Sequence, residues 1–387
     1  MDGTQPHPAA RKETRPITSR QEPGPEIAEA LGLVRGAIRG MAGYVPGLQP
    51  TPGQRLVKLN TNENPYPPSP RVIEALRRGA DDSLRLYPNP AGDALRARAA
   101  ELYGLSPEQV LCGNGSDEIL AILMRTFVDE KEAIGYFQPS YSLYPVLAGI
   151  AGVRTIPVPL PRPSRASEVG ALPVPAPDAK VFFLTTPNSP YGFGFPTEWI
   201  GRLLERFPGI VVADEAYVDF ASRSSLPLLS ANPRLLVVRS LSKAYALAGM
   251  RIGLAFGHPA VIAEMDKVKD SYNLGRLAQT AACEALADRP YLDLTRGRIL
   301  ATRARFAAGL SALGFSVLPS DANFVFAVPP AGLAALAVYE ELLARGFLVR
   351  YFAAPELSDG LRISIGTDND MDGLLRAVKE IVDAGRR

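Results

Sequence analysis

The middle of the chain is built on short, wholly apolar runs, not on strands that alternate between apolar and polar. Residues 110–112, 133–137, 180–184, 210–213 and 235–238 are each rich in aliphatic and β-branched side chains and end on turn or polar residues. This is the pattern of strands buried on both faces. Helical density separates them at 117–127 and 198–206 and resumes between residue 243 and Gly253. The order predicted from Leu111 to Gly253 is strand, helix, strand, loop, strand, helix, strand, loop, strand, helix. That order specifies an α/β fold with a mostly parallel sheet and helices on both faces.

Other patterns flank this block. Ile27, Leu31, Val34, Ile38 and Met41 recur at helical spacing, although Gly32, Gly36 and Gly40 weaken the helix, which needs a surface to lie on. Segment 58–70, KLNTNENPYPPSP, is denied regular structure by Asn62, Asn64 and four prolines, and is expected to be a loop held in one shape. Helices are predicted at 71–79 and 93–103, and a proline-rich connection at 157–177. Beyond Gly257, helices at 260–270, 277–287 and 292–313 lead into strands 324–328, 347–350 and 361–365, which alternate with helices 334–345 and 370–384. The last part reads as an α+β lobe with its own small core. The expected organisation is a disordered tail at 1–25, an N-terminal arm and part of the small lobe at 26–85, a large domain at 86–288 and a small C-terminal domain at 289–387.

Composition narrows the function. The 387 residues carry 42 Lys and Arg against 40 Asp and Glu, a near balance with no basic block for nucleic acid. Two cysteines, Cys112 and Cys283, form no disulfide framework. The two histidines, His7 and His258, argue against a histidine-based triad or a multi-histidine metal site, so no metal is expected. The most apolar long window, 324–339, is broken by Pro329, Pro330 and Gly332, and the N-terminus has no apolar signal core. A soluble cytoplasmic protein without a membrane partner is expected.

Chemistry gathers where the apolar runs end. Lys243 follows the run 235–238, where an amine aimed off a sheet can be desolvated and made nucleophilic toward a carbonyl carbon, the requirement for a Schiff base. Arg251, Ser240 and Ser242 beside it suit a phosphate, and lysine plus phosphate cradle suggests pyridoxal phosphate. Gly115 and Ser116 sit between a strand and a helix, where backbone N–H groups bind phosphate; a plain N-cap is the competing use. Tyr141, after the run 133–137, can stack on a flat ring or pack in the core. Asn188 presents an amide from a loop set by two prolines. Asp214 closes a buried run and needs a cation, such as a protonated pyridine nitrogen, to stay ionised, unless it serves as an N-cap. Arg362, between apolar neighbours, calls for a carboxylate, either a ligand's or that of a structural salt bridge.

Together the motifs NENP, YPNP, GNGSDE, PSYSLY, TTPNSPYG, ADEAY, SLSKAYALAGMRIG, VRYF and LRISIGT resemble those of the fold type I pyridoxal phosphate aminotransferases, more narrowly the histidinol-phosphate aminotransferase branch. The resemblance runs from Tyr44 to the C-terminus. It implies that 86–288 is the cofactor-binding domain, that Lys243 carries pyridoxal 5'-phosphate and shuttles a proton, and that Asp214 pairs with the pyridinium nitrogen. Asn188 and Tyr217 would bond the ring oxygen and Tyr141 would stack on the ring. Gly115, Ser116, Ser240, Ser242 and Arg251 would hold the phosphate, with Tyr87 reaching in from the other subunit of a homodimer. The substrates implied are an amino donor and a 2-oxo acid, with Arg362 on the carboxylate of glutamate or 2-oxoglutarate and Tyr44, Tyr272 and Arg350 around the rest. Ser189 and Tyr191 depart from the commoner family form NNPTG. An aromatic amino acid aminotransferase would use the same cofactor residues and the same Arg362, and a decarboxylase of phosphothreonine type shares the fold but belongs to another reaction class. A DNA-binding regulator would need a module that residues 1–43 are too short and too polar to form.

Overall fold

The computed structural model describes residues 25–51 and 53–385. The expected disordered tail lies outside them except for Pro25, which opens a helix.

The single N-terminal helix expected over 27–41 is two: α1 (Pro25–Gly32) and α2 (Gly36–Arg39). Arg39 donates to the carbonyls of Gly32 at 2.7 Å and Val34 at 2.9 Å, so a side chain satisfies the end of α1 and the chain turns. After β1 (Val57–Lys58), segment 59–69 has no regular structure, and α3 (Pro70–Gly79) and α4 (Asp93–Tyr103) follow.

The large sheet uses β2 (Val110–Gly113), β3 (Ala133–Gln138), β4 (Arg154–Pro159), β5 (Val181–Thr185), β6 (Ile210–Asp214), β7 (Leu235–Ser240) and β8 (Gly253–Phe256). Its order is β2-β8-β7-β6-β5-β3-β4. All pairings are parallel except those of β8, which runs antiparallel to both neighbours. The connecting helices are α5 (Ser116–Phe127), α6 (Leu143–Ala151), α7 (Ala166–Val169), α8 (Thr197–Arg206) and α9 (Pro259–Val268).

Three differences from the predicted elements have local causes. Strand β4 begins at Arg154 and runs into what reads as a proline-rich connection; Pro157 and Pro159 are tolerated because β4 is the outermost strand. Helix α6 is additional, formed where the motif alone suggests a loop. The helix expected after Lys243 is a turn with one 3-10 turn, Ala248–Met250, leading into β8. Asn64 Nδ2 takes the carbonyls of Lys243 at 3.1 Å and Ala244 at 2.9 Å, which a helix would have needed, and Ala246 and Arg251 turn left-handed at φ 57° and 53°.

Helices α10 (Arg276–Ala287) and α11 (Arg289–Ala312) lead to a second, antiparallel sheet. Its strands are β9 (Ser316–Val317), β10 (Phe324–Val328), β12 (Arg350–Tyr351) and β13 (Leu361–Ser364), in the order β12-β13-β10-β9. The single strand expected at 347–350 divides at Val349: β11 (Phe347–Leu348) pairs in parallel with β1, and β12 pairs with β13. Helix α12 (Ala335–Ala344) packs with α11 on this sheet, and α13 (Asp368–Gly385) packs on α11 and α12. One continuous apolar core joins both sheets, with Phe182, Trp199, Phe256, Phe306 and Phe326 fully enclosed.

Candidate active site

The strand directions bring the predicted chemistry to one edge. Parallel strands β3, β5, β6 and β7 all end there, and reversed β8 begins there, with Gly253 opposite both Ser240 and Gly113. Open sheets bind ligands outside their carboxyl ends for this reason.

The anion cradle is tight. Gly115, at φ 85°, precedes α5 and leaves its first N–H groups without a side-chain cap, so the plain N-cap role for Ser116 is not seen. A Cβ on Gly115 would stand 2.6 Å from Arg251 Nη2. One on Gly253 would stand 2.5 Å from the Gly115 carbonyl carbon and 2.6 Å from the Ser116 nitrogen. Arg251 Nη1 lies 3.4 Å from Ser242 Oγ, and Ser240 Oγ accepts from the Ser242 N–H at 3.2 Å. Asp117, unremarked in the sequence pattern, accepts from Arg251 at 3.2 Å and from the Tyr141 hydroxyl at 3.1 Å.

Asp214 is 3% exposed at the end of β6 and has no cationic side chain paired with it among the described residues. Burial pushes its pKa up to about 6, against the Tyr144 hydroxyl and the Ala216 N–H that donate to it at 2.8 and 3.3 Å. Lys243 Nζ donates to the Thr61 carbonyl at 3.1 Å and lies 5.9 Å from the Tyr217 ring centroid. The Tyr217 hydroxyl accepts from Asn62 Nδ2 at 3.0 Å. Asn188 is buried, its carbonyl oxygen bonded to the Tyr191 N–H and its amide to the Pro139 carbonyl, with one amide hydrogen still free to donate. An uncapped helix start beside arginine and serines, a buried carboxyl without a cation and a lysine amine at the same edge fit a phosphate-bearing pyridine aldehyde.

Further out, Tyr44 meets Tyr141 edge-on at 6.1 Å. Arg362 Nη1 donates to Ser189 Oγ at 3.0 Å and Nη2 to the Asn60 carbonyl at 2.8 Å, while its buried Nε has no partner. The structural salt bridge weighed for Arg362 is not present among the described residues. Tyr87 and Tyr272 stack on each other at 4.4 Å on the outside, 76% and 47% exposed, and make no hydrogen bond or ring contact with Lys243 or Arg362 in the chain.

Sequence reading offered Tyr144 beside Tyr141 as a stacking or core tyrosine and named Asn62 only as a loop residue; it did not foresee their bonds to Asp214 and Tyr217, nor Thr185 or the buried ion pair Glu215–Arg239 at 2.9 Å. Asn62 lies in the loop singled out for its amides. The ion pair had a signal too, in charged residues directly following Asp214 and directly preceding Ser240.

Known proteins agree with this geometry. Residues 54–378 match the family described as aminotransferase class I and II, and the chain belongs to that family. It is 49% identical over 354 residues to a histidinol-phosphate aminotransferase of Syntrophotalea carbinolica, spanning 91% of this chain and 100% of that one. A histidinol-phosphate aminotransferase of Citrifermentans bemidjiense is 46% identical, over 90% of this chain and 98% of the relative. Among solved structures, the histidinol-phosphate aminotransferase of Sinorhizobium meliloti in complex with pyridoxal-5'-phosphate superimposes with a TM-score of 0.79 at 28% identity. It covers 90% of this chain and 97% of the other.

Proposed function

We propose that this chain is a pyridoxal phosphate-dependent aminotransferase that transfers the amino group of histidinol phosphate to 2-oxoglutarate. The observation that carries the cofactor assignment is Asp214, a buried carboxylate whose cation must come from a ligand, at the same sheet edge as Lys243. When bound, pyridoxal phosphate supplies an electron sink for the carbon that loses its proton. Lys243 Nζ would hold the cofactor and, as a free amine, would take and return that proton. Asp214 would keep the pyridine nitrogen protonated, Tyr141 would cover the ring, and Tyr217 and Asn188 would donate to the ring oxygen. Gly115, Ser116, Ser240, Ser242 and Arg251 bind the phosphate.

Arg362 and Arg350 bind the acidic end of each substrate in turn, a carboxylate in one half-reaction and a phosphate in the other. The working form is a homodimer. Its support is the exposed Tyr87–Tyr272 stack, which touches neither Lys243 nor Arg362 of its own chain, together with exposed Ile27, Leu31 and Leu33. Two unpaired cysteines fit a reducing cytoplasm, and no helix among the described residues is long and apolar enough to cross a membrane.

The test is kcat/KM for histidinol phosphate, phenylalanine and tyrosine, each with 2-oxoglutarate. Preference for histidinol phosphate is expected; preference for an aromatic amino acid rejects the substrate assignment and leaves the aminotransferase. Lys243→Ala should abolish both turnover and the visible band of lysine-bound cofactor.

A further inference from the structure

A strap of chain crosses the front of the site and touches both sheets. In it, the Asn60 carbonyl accepts from Arg362, the Thr61 carbonyl from Lys243, and Asn64 donates to the carbonyls of Lys243 and Ala244. At its centre Asn62 is 1% exposed and left-handed at φ 57°, a conformation asparagine reaches more readily than most side chains. Four hydrogen bonds hold it there. Its N–H donates to Ser364 Oγ at 2.9 Å, its carbonyl accepts from Asn323 Nδ2 at 3.0 Å, and its Oδ1 accepts from Ser364 Oγ at 2.8 Å. The fourth runs from Nδ2 to the Tyr217 hydroxyl at 3.0 Å.

These bonds have a direction. Ser364 Oγ already receives the Asn62 N–H and sends its own proton to Oδ1, which settles which end of the amide faces Tyr217. An amide nitrogen only donates, so the Tyr217 oxygen accepts there and its single proton is left for another partner. We propose that Asn62 is a positioning residue that aims the Tyr217 hydroxyl proton at the ring oxygen of the bound cofactor. The inference rests on the role proposed for Tyr217 above. The charged groups facing the phenol are Lys243, 5.9 Å from its ring, and Arg362, which covers Phe324 at 5.3 Å where that ring meets Tyr217 edge-on at 5.1 Å. Asp214 lies on the phenol's own segment. Once Lys243 holds the cofactor, Arg362 is the side-chain cation left near the phenol; an anionic ring oxygen is then the natural acceptor, and a hydroxyl that already accepts one hydrogen bond is the stronger donor.

A donor on the ring oxygen favours the form of the lysine-bound cofactor that has lost its proton, so the pH midpoint of the visible band lies lower with the donor than without it. The experiment titrates that band in purified holoenzyme for the parent, Tyr217→Phe, Asn62→Asp and the double variant, with circular dichroism as a check of fold. Aspartate keeps the size and tolerates the left-handed backbone, but it accepts where asparagine donates and so captures the Tyr217 proton. Tyr217→Phe should raise the midpoint, and Asn62→Asp should raise it by at least half as much. Adding Asn62→Asp to Tyr217→Phe should bring no further rise. An unchanged midpoint in Asn62→Asp, or an equal further rise in the double variant, overturns the inference. So does a Tyr217→Phe midpoint equal to the parent's; the lysine assignment survives that result as long as Lys243→Ala still removes the band. If Asn62→Asp misfolds, Asn62→Gly, which accepts the backbone angle and deletes only the side chain, decides: a smaller rise supports the role and none refutes it.

Discussion

Arg350 and Arg362 stand directly opposite each other across the β12–β13 pair, with no acidic partner for either among the described residues. Both guanidiniums lie over the Phe352 ring, at 5.1 and 5.4 Å from its centroid. Burial draws the Arg362 pKa below its ordinary value and the Arg350 charge pulls the same way, against the Tyr217 and Tyr44 oxygens. Like charges opposite one another destabilise a sheet unless an anion joins them.

That pair predicts a split in kinetic behaviour. Arg362→Gln should lower kcat/KM for 2-oxoglutarate by at least about thirtyfold, the equivalent of ~2 kcal/mol for a buried charge contact. The loss should fall mainly on KM, and the visible spectrum of the resting enzyme should not change. Steady-state kinetics beside an absorbance scan checks both.

Asp214 predicts a conflict between stability and binding. Its pKa of about 6 lies above the ordinary carboxylate value, so cofactor-free protein holds a proton there that unfolded chain has lost. This contribution is full below about pH 4 and is lost as pH rises through 6, on the order of 3 kcal/mol in all. Asp214→Asn should therefore raise the cofactor-free Tm at pH 8 and leave it little changed at pH 4, while weakening cofactor binding. Thermal melts at the two pH values, with and without pyridoxal phosphate, measure it.

The cradle predicts an intolerant glycine. In Gly253→Ala the new methyl meets backbone on both sides of the Gly115–Ser116 peptide, which no rotamer change relieves. A destabilisation of about 1–3 kcal/mol is expected, with a larger Kd for pyridoxal phosphate. Denaturant midpoints and cofactor titration report the two effects.

Glu215 and Arg239, 1% and 8% exposed at their side chains, tie the end of β6 to β7. Glu215 also accepts from Ser224 and from the Ser225 N–H, and Arg239 lies 4.6 Å over the Tyr103 ring. Removing one partner, as in Glu215→Ala, should cost about 3–5 kcal/mol, because the other charge stays buried alone. The double variant Glu215→Gln with Arg239→Met should cost less than the two single changes together, by chemical denaturation.

Much of the site could be read from strand ends. An apolar run that stops at Asp214, or one that breaks at Ser240, Ser242 and Lys243, carries its chemistry in a few consecutive residues, because polar side chains return where a buried strand leaves the core. Tyr144 gave no such signal: it sits among tyrosines that suit a core equally well, and its bond to Asp214 spans 70 residues.

The same physics separates the two levels throughout. Periodicity and punctuation along the chain settled the α/β class and most helices, and put Lys243 and Asp214 forward as candidates at strand ends, since these depend on neighbours a few positions apart. The reversal of β8, the loss of the helix after Lys243 and the pairing of Asn62 with Tyr217, 155 residues away, depended on hydrogen bonds between distant segments. A backbone carbonyl takes whichever donor the folded chain brings to it, and for Lys243 and Ala244 that donor is Asn64.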